Sequence, residues 1–266
     1  MNCVFADPTV FKKIIAALSK DLSLVNFHFN EEGLKINAMN DSHTDMREFV
    51  LDSTFFVSYI CDKPLVLGIN VTVLNTFVKT AGSKDTITWQ YSDEAVEKNL
   101  IMTVQDASEN KTCTKFFIKL IDFEEDALSL PDTIDWDCHF RVGTALLRQW
   151  ISKAKLIDGN IGISITKGKE ISINVKSDSM GNIQINQPIP SVMAQMVKSS
   201  PDFITQEKRI SSKEAECLDV LIQCSPGVDI QFENNMPMSC TSYLDKDKKS
   251  YVRLWIAPLI IEEEDD

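Results

Sequence analysis

The chain is short of the residues that mark most catalytic and metal-binding proteins. It has three histidines, His28, His43 and His139, and none has a partner at metal-ligand spacing. Seven cysteines (Cys3, Cys61, Cys113, Cys138, Cys217, Cys224 and Cys240) are scattered with no C-x-x-C pair, which predicts reduced core thiols rather than a disulfide framework or a zinc site. Neither G-x-G-x-x-G nor a phosphate-binding lysine loop occurs, so the common nucleotide-binding folds are excluded. No apolar run approaches the ~20 residues that cross a bilayer, and none of signal-peptide length follows Met1, so a soluble intracellular protein is expected. Asp41-Ser42-His43 offers the three residue types of a hydrolase triad. Residues adjacent in sequence rarely meet in triad geometry, so a polar loop is the reading here. No enzyme and no cofactor is expected.

Positive charge is also scarce: net charge is −12 over 266 residues. An acidic surface repels phosphate, which taken alone argues against nucleic acid. The positions of the few cations argue the other way. TVFKKIIAALSK (residues 9–20) reads as a helix with Val10, Phe11, Ile14, Ile15 and Leu18 on one face. VTVLNTFVKTAG (71–82) is a second, with Leu74, Val78 and Ala81 inward and Gly82 as its stop. LLRQWISKAK (146–155) is a third, with Leu147, Trp150, Ile151 and Ala154 inward. SSKEAECLDVLIQCSPG (211–227) is a fourth. Lys12, Lys13, Lys20, Lys79, Arg148, Lys153, Lys155 and Lys213 all fall on the outer faces of these helices. The chain thus segregates one basic helical face from an acidic remainder.

The order of elements repeats. After the first helix comes a strand pair, VNFHFNEEGLKINAM, turning at Glu31–Gly33. After the third comes NIGISITKGKEISINVKSDS, again strand, turn, strand. Further strands are expected at about 46–52, 54–60 and 65–69, in TITWQY, NLIMTVQD and KTCTKFFIKLI, and in DIQFEN after the fourth helix. Asp178-Ser179 echoes Asp41-Ser42. Two copies of one helix-strand-helix-strand unit imply an internal duplication. Strands cluster in meanders, so the expected class is α+β, with antiparallel sheets and the helices on one face. Domains are placed at 1–119 and 137–266. The acidic, proline-bearing stretch 120–136 is the connector, and it carries two unexplained leucines, Leu128 and Leu130.

Four segments resemble the proliferating cell nuclear antigen family of DNA sliding clamps: CDKPLVLGINVTVLNTFVKTAGSKDTITW (61–89), AMNDSH (38–43), LSLPD (128–132) and LWIAPLIIEEEDD (254–266). The resemblance runs the full length, in order, duplication included. It implies a closed ring of three subunits around duplex DNA, sheets outside and helices lining the hole. It also implies a nuclear processivity factor, or one of a viral replication compartment, active in replication and repair. One subunit of a heterotrimeric checkpoint-type clamp is the alternative. The basic helical face then has a purpose: diffuse lysine–phosphate contacts hold DNA without fixing its register.

The resemblance implies DNA contacts at Lys12, Lys13, Lys20, Lys79, Arg148 and Lys153. Several positions it expects to be basic are instead Thr76, Ile151 and Gln223, and the fourth helix carries Glu214, Glu216 and Asp219. It places the subunit joint on Lys111, Thr114, Phe116, Phe117 and Ile118 of one chain and Gly181, Ile183 and Ile185 of the next. It makes Leu128, Leu130 and Pro131 part of a groove for partner peptides bearing a glutamine and two aromatics. Met39, His43, Thr44, Met46, Pro237, Trp255, Ile256, Ala257, Pro258 and Leu259 complete that groove. The implied partners are DNA polymerase, the clamp loader and other carriers of such peptides; no membrane is involved. Lys167 aligns with the family's modified lysine.

Overall fold

The computed structural model describes residues 1–5, 8–40, 42–107, 112–124, 134–157, 160–166, 169–177, 179–233 and 236–257. The chain forms two compact units. Unit 1 comprises Met1–His43, Arg47–Ser129 and Tyr243–Val252; unit 2 comprises Thr44–Met46, Leu130–Ser242 and Arg253–Asp266. Both are discontinuous, because strands at residues 45–52 and 251–256 each contribute to both.

Unit 1 holds β1 (Asn2–Phe5), α1 (Pro8–Leu18), β2 (Leu24–Asn30), β3 (Gly33–Met39), β4 (Asp45–Asp52), β5 (Phe56–Ile60), β6 (Leu65–Asn70), α2 (Val71–Val78), β7 (Thr86–Gln90), β8 (Asn99–Gln105) and β9 (Cys113–Lys119). Its strands run in the orders β5-β1-β7-β8-β9 and β4-β3-β2-β6. The core is aromatic. Trp89 of β7 lies against Phe5 and Phe11, at 5.4 and 5.0 Å between ring centroids, and against Phe27 and Phe29 of β2. The apolar face read from the sequence of α1 supplies Phe11, Ile14, Ile15 and Leu18 to it, all buried; Val10 is only half-buried.

Local chemistry sets the turns. Asn30 Oδ1 accepts the backbone N–H groups of Glu32 and Gly33, closing the β2–β3 hairpin. Gly33 has φ +146°, and a Cβ there would lie 2.1 Å from the Leu51 carbonyl oxygen, so only glycine fits. The Asn70 side chain caps α2 by accepting from Val73 N–H at 3.0 Å. The helix ends at Val78, short of Gly82, because Thr80 and Ala81 bond back three residues to Phe77 and Val78 and tighten the chain.

Unit 2 holds β10 (Cys138–Gly143), α3 (Thr144–Ala154), β11 (Asn160–Thr166), β12 (Glu170–Ser177), β13 (Gly181–Pro188), β14 (Ala194–Ser199), β15 (Thr205–Ile210), α4 (Ser212–Cys217), α5 (Asp219–Cys224), β16 (Gly227–Phe232), β17 (Met238–Tyr243) and β18 (Tyr251–Ile256). Its strand orders are β14-β10-β16-β17-β18 and β13-β12-β11-β15. Each is the order of unit 1 with every strand replaced by its counterpart, β1 by β10 through β9 by β18. The fold is therefore a duplicated α+β fold of antiparallel sheets, as the repeat in the sequence implies.

The single helix expected over 211–227 is two short ones that meet at Leu218, whose N–H bonds the Ala215 carbonyl at 3.2 Å. Strand β1 escaped the sequence reading, since four residues are too few for a periodicity. The strand expected from 54 begins at Phe56, because Asp52 caps a short turn by accepting from Thr54.

Two cross-strand contacts hold β4 beside β18 in unit 1. Tyr251 Oη donates to Glu48 Oε1 at 3.1 Å, and Asp52 N–H donates to Ser250 Oγ at 3.1 Å. In unit 2, Ala257 N–H donates to the Thr44 carbonyl at 2.9 Å. Asp229 is buried on β16 and is held by Arg141 Nη1 at 2.9 Å and His139 Nε2 at 3.1 Å, so its charge is compensated. No helix among the described residues is long and apolar enough to cross a membrane.

Candidate functional site

The cations of the helix faces divide into engaged and available. Lys12 is engaged: its ammonium donates to the Ala81 carbonyl, just beyond α2. A cation suits that place, because helix C-termini carry partial negative charge. Lys13 is half-buried on α1. Lys20 and Lys79 are exposed at the C-terminal ends of α1 and α2, and neither makes an ion pair among the described residues. These two helices touch, with Asn75 Nδ2 donating to Ser19 Oγ at 2.7 Å. In unit 2, Arg148 is exposed on α3 and Lys153 is half-buried in its last turn. Lys155, the next cation, is paired with Asp219 of α5 at 3.5 Å.

Three of the residues that depart from the family pattern have structural explanations. Ile151 is buried in unit 2, so it is no lining residue. Glu214 turns back as a cap: its carboxylate accepts Ser211 N–H at 2.8 Å, and Ser211 Oγ accepts Glu214 N–H at 3.2 Å. This is a capping box, and it leaves Glu214 only 5% exposed. Asp219 is neutralised by Lys155. Glu214 and Asp219 of the fourth helical segment are therefore both engaged within unit 2. Thr76 and Gln223 are exposed, as lining residues would be.

The two segments assigned to the subunit joint are both edge strands. β9 has β8 as its neighbour and β13 has β12, and neither has a second among the described residues. On β9, Phe116 stacks on Phe77 of α2 at 4.7 Å and Ile118 is 2% exposed, so both belong to the unit's own interior face. Phe117 points the other way and is 62% exposed. Of the two faces considered for the joint, Phe117 is the one with unburied area. Thr114 is exposed. Ile183 and Ile185 are half-buried opposite Val175 and Ile173 of β12, and Gly181, at φ +91°, starts the strand. Lys111 lies outside the described residues, as do Asp41 and Lys167.

Leu128, Leu130, Pro131, Pro258 and Leu259, the proposed groove wall, also lie outside them. In unit 1, Met39 is half-buried and His43 exposed, with His43 held at φ +57° by a bond from its N–H to the Asn40 carbonyl. In unit 2, Thr44, Pro237 and Ala257 are half-buried, and Met46 is buried. Ile256 is fully buried, on the same side of β18 as Leu254 and Val252, and serves the core. Trp255 is largely covered. It stacks with Trp136 at 5.8 Å, and the Arg253 guanidinium lies 5.4 Å from its ring centroid. Trp136 and Arg253 were not among the residues expected here. An indole inside an otherwise acidic connector was the one available signal.

The connector's upstream end is fastened in unit 1. Ile121 N–H donates to the Gly68 carbonyl at 2.9 Å, and Leu120 bridges Ile69. A Cβ on Gly68 would lie 1.9 Å from the Ile121 carbonyl oxygen, so glycine permits this approach. Beside it lies a cavity of about 330 Å³ lined by Asn26, Val66, Phe123 and the acids Asp122 and Glu124. Elsewhere, burial pushes the Cys3 and Cys138 thiols up to about 12, so both stay protonated. No group of three or more His, Cys, Asp or Glu side chains among the described residues is placed to hold a metal ion.

Residues 1–127 match the family model described as proliferating cell nuclear antigen, N-terminal domain. Over 259 residues the chain is 25% identical to proliferating cell nuclear antigen 2 of Plasmodium falciparum, covering 96% of this chain and 97% of that one. It is 28% identical to proliferating cell nuclear antigen of Dictyostelium discoideum over 201 residues, 74% of this chain and 76% of that one. A third relative, from Chaetomium thermophilum, is 28% identical over 125 residues, 47% of each chain. With the duplicated fold, these matches support reading the chain as a sliding clamp similar to proliferating cell nuclear antigen.

Proposed function

We propose that this chain closes head to tail into a homotrimer that encircles duplex DNA and tethers DNA polymerase as a processivity factor. One observation carries the reading. Within unit 1, Glu48 and Asp52 of β4 bond Tyr251 and Ser250 at the start of β18, whereas β13 and β9, the counterparts of these strands in the repeat, each have a single strand neighbour among the described residues. Free edges are association sites. Joining β9 of one copy to β13 of the next repeats a contact the chain already makes, and a head-to-tail contact that closes gives a ring. Charge supports the orientation. β9 exposes Lys115 and Lys119, whereas β13 carries no charged residue, so β9–β9 pairing sets like charges close together and β9–β13 pairing does not.

The ring's DNA contacts are Lys13, Lys20, Lys79, Arg148 and Lys153, sequence-independent and screened over about 8 Å at physiological salt. The groove beside the connector takes glutamine-and-aromatic segments of polymerase, clamp loader and repair proteins, in the nucleus or a viral replication compartment. The protein works as a scaffold and not as an enzyme. Light scattering tests the assembly: a native mass of three times 30.0 kDa is expected, and Ile183→Pro, which disturbs β13, gives monomers. A wild-type monomer refutes the homotrimer and favours a heterotrimer subunit. An Ile183→Pro trimer shows the joint to be misplaced.

A further inference from the structure

Two thiols and a thioether meet at one end of β1, in unit 1. Cys3 Sγ donates to Met1 Sδ at 3.1 Å. Met1 is itself fixed beside the end of β7: its nitrogen donates to the Tyr91 carbonyl at 2.9 Å, and Tyr91 N–H donates to the Met1 carbonyl at 3.1 Å. On the other side of β1, Asn2 pairs with Ile60 and Cys3 with Tyr59 of β5. Carried one residue further, that register sets Cys61 opposite Met1. Side chains alternate along a strand, so Cys3, Tyr59 and Cys61 share one face. Cys3 is 0% exposed and Cys61 7%. Burial, and after it the neighbouring Cys61, pushes up the Cys3 thiol, as expected of two thiols side by side. Tyr59 closes the flank, its hydroxyl 2.6 Å from both the Asn30 and the Gly33 carbonyl oxygens.

The repeat supplies a comparison. Cys138 of β10 is the counterpart of Cys3, each two residues before a phenylalanine, Phe140 or Phe5, at an irregularity in the register. Cys138 is also 0% exposed and also has a thioether nearby, Met196 Sδ at 3.9 Å. It pairs with Ser199 as Cys3 pairs with Tyr59, so Pro201 stands where unit 1 has Cys61. Unit 2 therefore keeps the thiol and the thioether without the second thiol.

The register argues against a disulfide between Cys3 and Cys61. Diagonal neighbours on paired strands lie about 7–8 Å apart, and Cα atoms more than about 7 Å apart are not bridged without moving the backbone. An ion between the sulfurs extends the reach by two metal–sulfur bonds of about 2.3 Å each. Thiolate and thioether donors together select soft ions such as Cu(I), whereas Mg²⁺ and Ca²⁺ need oxygens and a structural zinc needs a fourth ligand.

We propose that Met1, Cys3 and Cys61 form a site for one Cu(I) ion in unit 1. The ion displaces the proton of each thiol to solvent, and two thiolates and a thioether then surround it. No electron is transferred, and the complex carries one negative charge. Ligands on a three-coordinate ion lie about 4 Å apart at that bond length, so Met1 Sδ swings away from Cys3 by about an ångström, which its three rotatable bonds allow.

The full chain, reduced and metal-free, is titrated with Cu(I) under anaerobic conditions against bathocuproine disulfonate, a chromophoric Cu(I) chelator. Cys3→Ala, Cys61→Ala, Cys138→Ala and Cys113→Ser are titrated alongside, with urea midpoints on the same samples. We expect the wild type to hold one ion per chain against the chelator. Affinity falls by at least about a hundredfold in Cys3→Ala and Cys61→Ala and stays within about twofold in Cys138→Ala and Cys113→Ser. Copper-edge X-ray absorption on the selenomethionine-substituted chain, loaded with one equivalent, shows two sulfur neighbours and one selenium. That reading needs no variant, so it decides the site even if Cys3→Ala fails to fold. A wild type that yields all its copper to the chelator overturns the proposal, as does an equal loss of affinity in Cys138→Ala. A copper edge with no selenium neighbour excludes Met1 and refutes the three-ligand site.

Discussion

Replacing Lys20 and Lys79 together by Glu is the sharpest test of the basic helix face. Both ammonium groups are exposed, and both extend from helix C-termini that touch through Asn75 and Ser19. Each lysine that meets a phosphate of B-DNA contributes about 0.9 to the slope of log K against log salt. Removing both therefore lowers that slope by roughly 2 for each subunit in contact, before any repulsion from the new carboxylates. The same change removes two favourable charge–dipole interactions, each about 0.3–1 kcal/mol, which a folded domain tolerates. Lys12→Met is the control. Its ammonium bonds the Ala81 carbonyl, so its loss costs about 1 kcal/mol of stability and leaves the salt slope alone. The assay is retention on end-blocked duplex DNA across a salt series, with native mass and urea midpoint measured on the same samples. An unchanged slope in the double variant, or an equal fall in Lys12→Met, refutes the division into engaged and available cations.

Two further outcomes concern stability. Lys208 of β15 is 5% exposed and donates to the Met236 carbonyl at 3.2 Å; burial holds its ammonium below the ordinary lysine value of 10.5. The unfolded chain then binds that proton more tightly than the folded one, so stability rises with pH between the lowered value and 10.5. Urea midpoints at pH 8 and pH 10 should show the wild type gaining on Lys208→Met, and parallel pH dependence in the two proteins would contradict the burial argument. Trp89 has its Nε1 buried with no acceptor among the described residues. Trp89→Phe deletes that orphan donor, worth about 1–3 kcal/mol, and opens roughly 40 Å³, worth about 1 kcal/mol plus lost transfer energy, so the net change is small. Trp89→Leu, which also loses the aromatic contacts to Phe5 and Phe11, should cost about 3 kcal/mol. A Phe variant as damaging as the Leu variant would mean that the indole N–H has a partner.

Sequence periodicity located α1 and α3 to within a residue or two, and it located the hairpin after each. A stripe of apolar residues at helical spacing is local information, and so is a turn built from Asn30 and Gly33. α4 and α5 were read as one helix because apolar spacing does not register the tighter bond at Leu218. The candidate site was legible as residue types and less so as availability. Phe116, Phe117 and Ile118 are equally apolar in sequence, yet only Phe117 is exposed. Glu214 reads as a surface acid until its carboxylate is seen capping its own helix.

By itself the sequence determined the duplication and the alternation that makes antiparallel sheets. These follow from spacing along the chain, because side-chain direction repeats every 3.6 residues in a helix and every two in a strand. Tertiary structure alone decided which charges are free and which side chains meet. Lys12 finds its carbonyl 69 residues away, Glu48 its tyrosine 203 residues away, and Trp136 its partner in β18. Such partners are selected by how the sheets stack and not by any local pattern. A charge or an indole therefore acquires its role only when the folded chain supplies a neighbour.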